Sequence, residues 1–397
     1  MGLTGRLAAY AAGRPRPFTV PVPGGTRARL LVEAELRRRA WTPAPGPVES
    51  GLLVVCGDPG PELAEAVDAV WAGLPAPRAR VALPPHATEA DVRAALDRAA
   101  RHLGDVPAQR AGLAEDHAAE HADEHSGHAG QPEHGHGEHG HHMTGSPGGV
   151  AMAERAPDRD GLKLDVLHVP LGPVLADWPA GLRVRVAMQG DVVQDAECEV
   201  LGGTGGGSFW DGPWLAAAAG ERVTRGEAER RRAASHLDGL ARFLAVAGWR
   251  GQAERARRLR DGVLAGAPEE ELSAAFARFA RRTGRSRTLR WMVRGLGVVD
   301  RAAVERYGLA GLVARHPGDA VTRLRARLAE TGAALKRAGD RTALGDGEGP
   351  RGPAGGAPSA ATLRALPGLL AGAELAAARL IVADLDPDPD PIGAADA

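Results

Sequence analysis

The sequence predicts an α/β N-terminal domain, a short parallel sheet with helices, followed by an α+β domain with a β-hairpin and a helical bundle. Three observations carry this. Leu52 onward reads strand–helix–strand–helix, an order that favours a parallel sheet. Residues 182 to 201 alternate apolar and polar about a Gly190-Asp191 turn, a hairpin pattern. From Thr224 a capped helix carries a long apolar stripe. At 397 residues the chain has room for two domains that each bury a core. The boundaries read as residues 1–108 for the small α/β domain, 109–157 for a His-rich disordered linker, 158–390 for the α+β domain and 391–397 for a tail.

In the first domain, LLVVC (52–56) is a short apolar strand, and Gly57 to Gly60 is its turn. Pro61 opens a helix, where its missing N–H costs little. Leu63, Val67, Val70 and Leu74 form one face of that helix. Arg80 to Leu83 reads as a second strand, and Thr88 with Asp91 caps a second helix. The turn sits where phosphate binds in other folds. It lacks both G-x-G-x-x-G and G-x-x-x-x-G-K, which argues against a nucleotide.

In the second domain, Leu182, Val184, Val186 and Met188 lead into the turn. The return strand puts Val192, Ala196, Cys198 and Val200 on one parity. Gly202 to Gly207 is a Gly-rich loop, and Trp210 and Trp214 read as packing residues. Thr224 and Glu227 form a capping box. Ala233, Leu237, Leu240, Leu244 and Ala247 then make a core-facing stripe that stops at Gly248. Ser235 and His236, being adjacent, are expected on different helix faces. Glu229, Arg232 and His236 lie three and four residues apart along one edge. Taken alone, that edge is a solvated Glu–Arg pair beside a half-buried histidine. Residues 338–358 are Gly- and Pro-rich and read as a loop, and a helical run follows from about Ala361 to Ala378.

Charge and composition exclude some partners. The formal net charge is −1, which argues against nucleic acid. No run of 18 uncharged apolar residues is present, so no membrane span is expected. Leu7 to Ala12 is too short for a signal-peptide core. The expected place is the cytoplasm, with the inner face of a membrane reached through partners. Two cysteines, Cys56 and Cys198, both read as core residues.

The second chemical signal is a histidine tract. His117, His121, His125, His128, His134, His136, His139, His141 and His142 fall within residues 117–142, interleaved with carboxylates. Imidazole and carboxylate suit Zn²⁺ or Ni²⁺. The open readings are a linker that binds metal incidentally, a metal storage or delivery segment, and a defined structural site.

The motif edge gains meaning from its company. E-x-x-R-x-x-S-H-L (229–237) is preceded by Leu171-Gly172-Pro173 and the hairpin. It is followed by RGLGVVDRAAVERYGLAGLVAR (294–315), G-D-x-x-x-R-x-x-x-R-x-x-E (318–330), Glu348-Gly349-Pro350-Arg351-Gly352 and a terminal LIVADLDPD. In this order the set resembles the D-type, quinone-pocket component of bacterial NADH–quinone oxidoreductase (complex I), a relative of the nickel–iron hydrogenase large subunit. The resemblance covers roughly residues 160–390. Leu52 to Leu83 is similar, over a shorter span, to the B-type component of the same enzyme, its small iron–sulfur partner. The resemblance implies a fused B-like and D-like pair, with a hydrogenase-large-subunit-like second domain. It also implies partner chains from a quinone-linked respiratory or hydrogenase-type complex.

The departures from that family narrow what is expected. An iron–sulfur cluster takes about four thiolates, as does a nickel–iron centre, and the chain has two. The family's quinone-site histidine pair follows the G-P of its first sheet; here Gly172-Pro173 runs into VLADWPAG. The segment carrying its quinone-site tyrosine is missing, since Arg315-His316-Pro317 meets Gly318-Asp319 directly. Tyr10 and Tyr307 stand elsewhere. No catalytic residue and no resident redox cofactor are therefore expected, and quinone binding is doubtful. Glu229, Arg232 and His236 remain as a residual quinone contact or a domain contact. Two functional classes follow: a cofactor-free docking component, with any redox chemistry shared with other chains, and a Ni- or Zn-handling accessory protein.

Overall fold

A computed structural model describes residues 13–114, 155–157, 163–203, 207–345 and 347–390. The N-terminal domain contains β1 (Pro17–Pro21), α1 (Thr26–Arg38), β2 (Leu52–Cys56), α2 (Pro61–Ala72), β3 (Ala79–Leu83) and α3 (Glu89–Gly104). The three strands are parallel in the order β1-β2-β3. Every residue of the central β2 is buried, as expected for a parallel strand covered on both faces. Leu52, Val54 and Cys56 pack under α1 and α3, with Val32, Leu36, Val92 and Leu96. Leu53 and Val55 face Leu63, Val67 and Leu74 on the α2 side. Thr88 and Asp91 form the expected capping box of α3. The sheet begins one strand and one helix earlier than the sequence pattern suggests, at β1 and α1.

The C-terminal sheet is antiparallel in the order β4-β5-β6-β7, built from β4 (Arg155–Pro157), β5 (Lys163–Leu171), β6 (Leu182–Gln189) and β7 (Val192–Val200). Gly190 supplies a positive φ of 60° at the hairpin turn. The expected parity of β7 needs one correction. A bulge opposite Ala187/Met188 pairs Met188 with Val193 and Ala187 with Asp195. One extra residue flips the parity. Val193, not Val192, is therefore the fully buried partner of Ala196.

The sheet is followed by α4 (Gly212–Ala218), α5 (Arg225–Val246), α6 (Arg250–Leu264), α7 (Glu269–Arg285), α8 (Arg287–Val293), α9 (Arg301–Tyr307), α10 (Gly311–Arg315), α11 (Ala320–Leu335), α12 (Pro358–Leu370) and α13 (Leu375–Leu385). The capping box at Thr224 and Glu227 starts α5, and Gly248, with φ of 78°, follows its end. Leu237, Leu240 and Leu244 form the axis of a bundle with α6, α7 and α11. The inner face of the hairpin packs on α12 and α13 as a second core. The run expected from 361 to 378 divides into α12 and α13 at Ala371–Glu374, where Gly372 takes φ of 79°.

The two domains meet closely. Leu201 packs among the α2-side residues of the first sheet. The Gly60 N–H donates to the Gly202 carbonyl at 3.0 Å, so the turn that resembled a phosphate cradle is spent on backbone. A Cβ at Gly203 would sit 2.6 Å from the Pro23 carbonyl oxygen, so only glycine permits this approach. No helix among the described residues is long and apolar enough to cross a membrane.

Candidate functional site

The polar edge of α5 is almost entirely inside the protein. Glu229 and His236 are buried, and the Arg232 side chain is largely covered. Arg232 lies 3.7 Å from Glu229. It donates to the Glu348 carbonyl at 2.7 Å and the Gly349 carbonyl at 3.1 Å, and its guanidinium stands over the Trp214 ring. Glu229 also pairs with Arg337 at 3.1 Å. His236 is 5% exposed, with Nε2 3.3 Å from Glu330 Oε2. That contact is too poorly aligned to be a hydrogen bond. Burial lowers the His236 pKa despite the carboxylate nearby, so the ring is neutral near pH 7. Burial would raise Glu330, but its ion pair with Arg315 holds it well below the usual carboxylate range. With His236 neutral, Arg315 at 2.9 Å is the cation that matters there.

The motif segments 294–315, 318–330, 348–352 and 380–388 reach this region. From α11, Arg323 is fully buried; it pairs with Asp384 at 2.6 Å and donates to the Gly297 and Gly318 carbonyls. Arg327 donates to the Asp384 carbonyl at 2.7 Å. Arg351, from the Gly- and Pro-rich loop, donates to Ser235 Oγ at 2.9 Å and to the Asp386 carboxylate at 2.7 Å. These groups enclose a cavity of about 30 Å³ lined by Ser235, His236, Arg327, Arg351 and Asp386, room for about one water. Ser235 and His236 both border it.

The contact with the N-terminal domain lies further along α5. Asp238, 1% exposed, accepts two hydrogen bonds from Arg29 of α1, at 3.1 and 2.8 Å. Arg260 of α6, with no exposed surface, reaches Asp238 at 2.5 Å, Glu33 at 2.8 Å and Asp261 at 2.9 Å. Burial alone would raise Asp238. Arg29, Arg242 and Arg260 outweigh it and hold the carboxylate well below its usual range. Arg242 also bridges to Asp386 at 2.5 Å, joining this cluster to the cavity. Sequence pattern alone does not reveal Arg29, Asp238 and Arg260. In sequence they look like ordinary charges of solvated helix faces.

Beyond Asp386 the chain carries Asp388 and Asp390 inward. Asp388 accepts from Ser208 at 3.1 Å, and Asp390 accepts from the Gly24 N–H at 2.9 Å. Burial and the nearby Asp388 push Asp211 up to about 6 and Asp390 up to about 7. One Asp390 oxygen has no partner. The two thiols lie in separate cores. Burial pushes Cys198, packed beside the hairpin core, up to about 12 and raises fully buried Cys56 as well. His117, His121, His125, His128, His134, His136, His139, His141 and His142 fall outside the described residues. Among the described residues no group of three metal-ligating side chains is close enough to hold an ion.

No protein-family model matches the chain, and no curated protein matches it. Among solved structures, the chain is similar to one from the membrane-bound sulfane sulfur reductase, an archaeal respiratory membrane complex. Identity is 15%, the TM-score is 0.41, and the match covers 58% of this chain and 98% of that one. A likeness of that size assigns no family.

Two outcomes are expected. Arg232→Ala loses both carbonyl contacts and leaves Glu229 with Arg337 alone. The cost lies between that of an exposed and a fully buried ion pair, about 1–3 kcal/mol in denaturant unfolding. Asp390→Asn tests the buried acids. Below about pH 4 native and unfolded states both hold the proton, so Asp390 contributes nothing there to the pH dependence. As pH rises towards 7 the unfolded chain ionises first and stability falls. Asp390→Asn therefore gains at least about 1 kcal/mol over the parent at pH 8, and that advantage shrinks as pH is lowered to 4. An advantage that is constant with pH would show that Asp390 keeps an ordinary pKa.

Proposed function

We propose that the chain is a subunit-like docking protein of a quinone-linked NADH dehydrogenase or hydrogenase-type complex, carrying no redox cofactor of its own. The observation that carries this reading is the convergence just described. Residues of E-x-x-R-x-x-S-H-L, G-D-x-x-x-R-x-x-x-R-x-x-E, E-G-P-R-G and LIVADLDPD interlock around one side of α5. The segments that resemble the D-type component of complex I thus act together as a structural unit. The chain's two thiols, Cys56 and Cys198, lie in separate cores, whereas an iron–sulfur cluster takes about four. The cavity beside α5 is about 30 Å³, room for about one water. Glu229, Arg232 and His236 serve in this reading to hold the loop at 348–351 and α11 against α5.

A second reading rests on one observation, the nine histidines within residues 117–142. It makes the chain a Ni- or Zn-handling accessory protein. One experiment separates the two. The full chain is recovered anaerobically from its own cells under mild conditions and analysed for iron, nickel, zinc, EPR signals and associated polypeptides. Stoichiometric association with respiratory or hydrogenase-type chains, with no cluster signal from the isolated protein, is the expected result. A stoichiometric iron–sulfur signal from the isolated protein would contradict the docking reading. Several bound Ni²⁺ or Zn²⁺ and no associated polypeptide would favour the second.

A further inference from the structure

The charges of this protein are unevenly spent. Most arginines with a functional or packing role are paired, as in the Arg29, Arg260 and Arg323 clusters. One stretch breaks the pattern. From Leu272 to Val299 the sequence contains no Asp or Glu. It does contain Arg278, Arg281, Arg282, Arg285, Arg287, Arg290 and Arg294, seven arginines in a chain whose net charge is −1. Six of the seven are exposed and Arg290 is half-buried. Among the described residues none of them pairs with a carboxylate. Arg282 stands over the Trp249 ring and Arg290 donates to the Ser286 carbonyl. The remaining five reach into solvent.

Their placement is ordered. On α7, Arg278, Arg281, Arg282 and Arg285 follow helical spacing on the side away from buried Leu272, Phe276, Phe279 and Thr283. Ser286 ends α7 and caps α8 through the Leu289 N–H. On α8, Leu289 and Val293 are buried, Arg287, Arg290 and Trp291 share the opposite edge, and Arg294 follows as the C-cap residue. Trp291 is 80% exposed and Val298, just beyond, is 56% exposed. A large indole held in water among unpaired arginines is not explained by packing. The seven arginines, with no carboxylate between Leu272 and Val299, call for an anionic partner surface.

Together these features describe the chemistry of a bilayer surface. Indole settles at the headgroup level. Guanidinium binds phosphate bidentately and keeps its charge. Clustered basic residues on an amphipathic helix favour anionic lipid. We propose that the α7–α8 face docks this protein on an anionic membrane surface, with Trp291 seated in the headgroup layer and the arginines on lipid phosphates. This inference stands apart from the reading of the chain as a docking component, because it needs no partner chain.

Co-sedimentation of the full chain with lipid vesicles tests it. At about 0.1 M salt the protein should pellet with vesicles containing phosphatidylserine and stay free of pure phosphatidylcholine; about 1 M salt should release it. Each arginine at such a surface is worth a factor of about five in partition. The variant Arg287→Ala/Arg290→Ala/Arg294→Ala should therefore bind about a hundredfold more weakly with its melting temperature unchanged. Arg281→Ala/Arg285→Ala, on the neighbouring helix, provides a second, independently folded check. Brominated lipid should quench tryptophan emission of the bound parent more than that of Trp291→Ala. Failure to pellet with phosphatidylserine would overturn the proposal, as would undiminished binding by both arginine variants. Indifference to vesicles together with arginine-dependent capture of an acidic protein would overturn it too, and would assign the face to that protein.

Discussion

Asp238 is the carboxylate on which the arrangement of this protein turns. It is buried where two domains and two helices meet, with Arg29 arriving from the first domain and Arg260 from α6. Removing these charges from water is costly, several kcal/mol per ion after relaxation. The arrangement is tolerable only because every charge finds a partner. Asp238 meets Arg29, Arg242 and Arg260, and Glu33 meets Arg29 and Arg260. Such a cluster is weak evidence of high stability, yet it defines position sharply. A small displacement of α1 against α5 would strand several buried charges at once.

From that fixed point the rest follows by contact. Arg242 carries the network from Asp238 to Asp386, and Arg351 ties Asp386 to Ser235 and to the loop at 348–351. Arg232 fastens the same loop at its Glu348 and Gly349 carbonyls. The interior beside α5 therefore holds polar groups arranged for mutual neutralisation. The outward α7–α8 face is the reverse, with charges left unneutralised and an indole in solvent. Interior and exterior divide the work: one fixes the shape, the other remains free to meet a surface.

Much of the fold was legible in the sequence because its signals are local. The capping boxes at Thr88 and Thr224, the Pro61 helix start and the Gly190 turn each involve residues within a few positions of one another. β1 was not legible. Its five residues begin and end in proline, a residue usually read against a strand and tolerated here at the ends of an edge strand. α1 lacks a side-chain cap and carries four arginines and two glutamates, which disguises its buried stripe. The extra residue in β7 left no local mark either. For the site, helix spacing placed Glu229, Arg232 and His236 on one edge, but it could not say what that edge meets. His236 faces Glu330, and Arg29 finds Asp238 across 209 positions of sequence. Pairings at such range are set by tertiary packing, so the strongest cluster in the protein went unread.

The central claim is that the Arg29–Asp238 pair couples the two domains. A double-mutant cycle on the full chain, with Arg29→Met, Asp238→Leu and both together, measures that coupling in denaturant unfolding. Each single change leaves a buried charge short of a partner and should cost about 3–5 kcal/mol. The double change should cost less than the sum of the two, with an interaction energy of about 1–3 kcal/mol. Additive costs with no interaction energy would contradict the account and move the origin of the domain contact elsewhere.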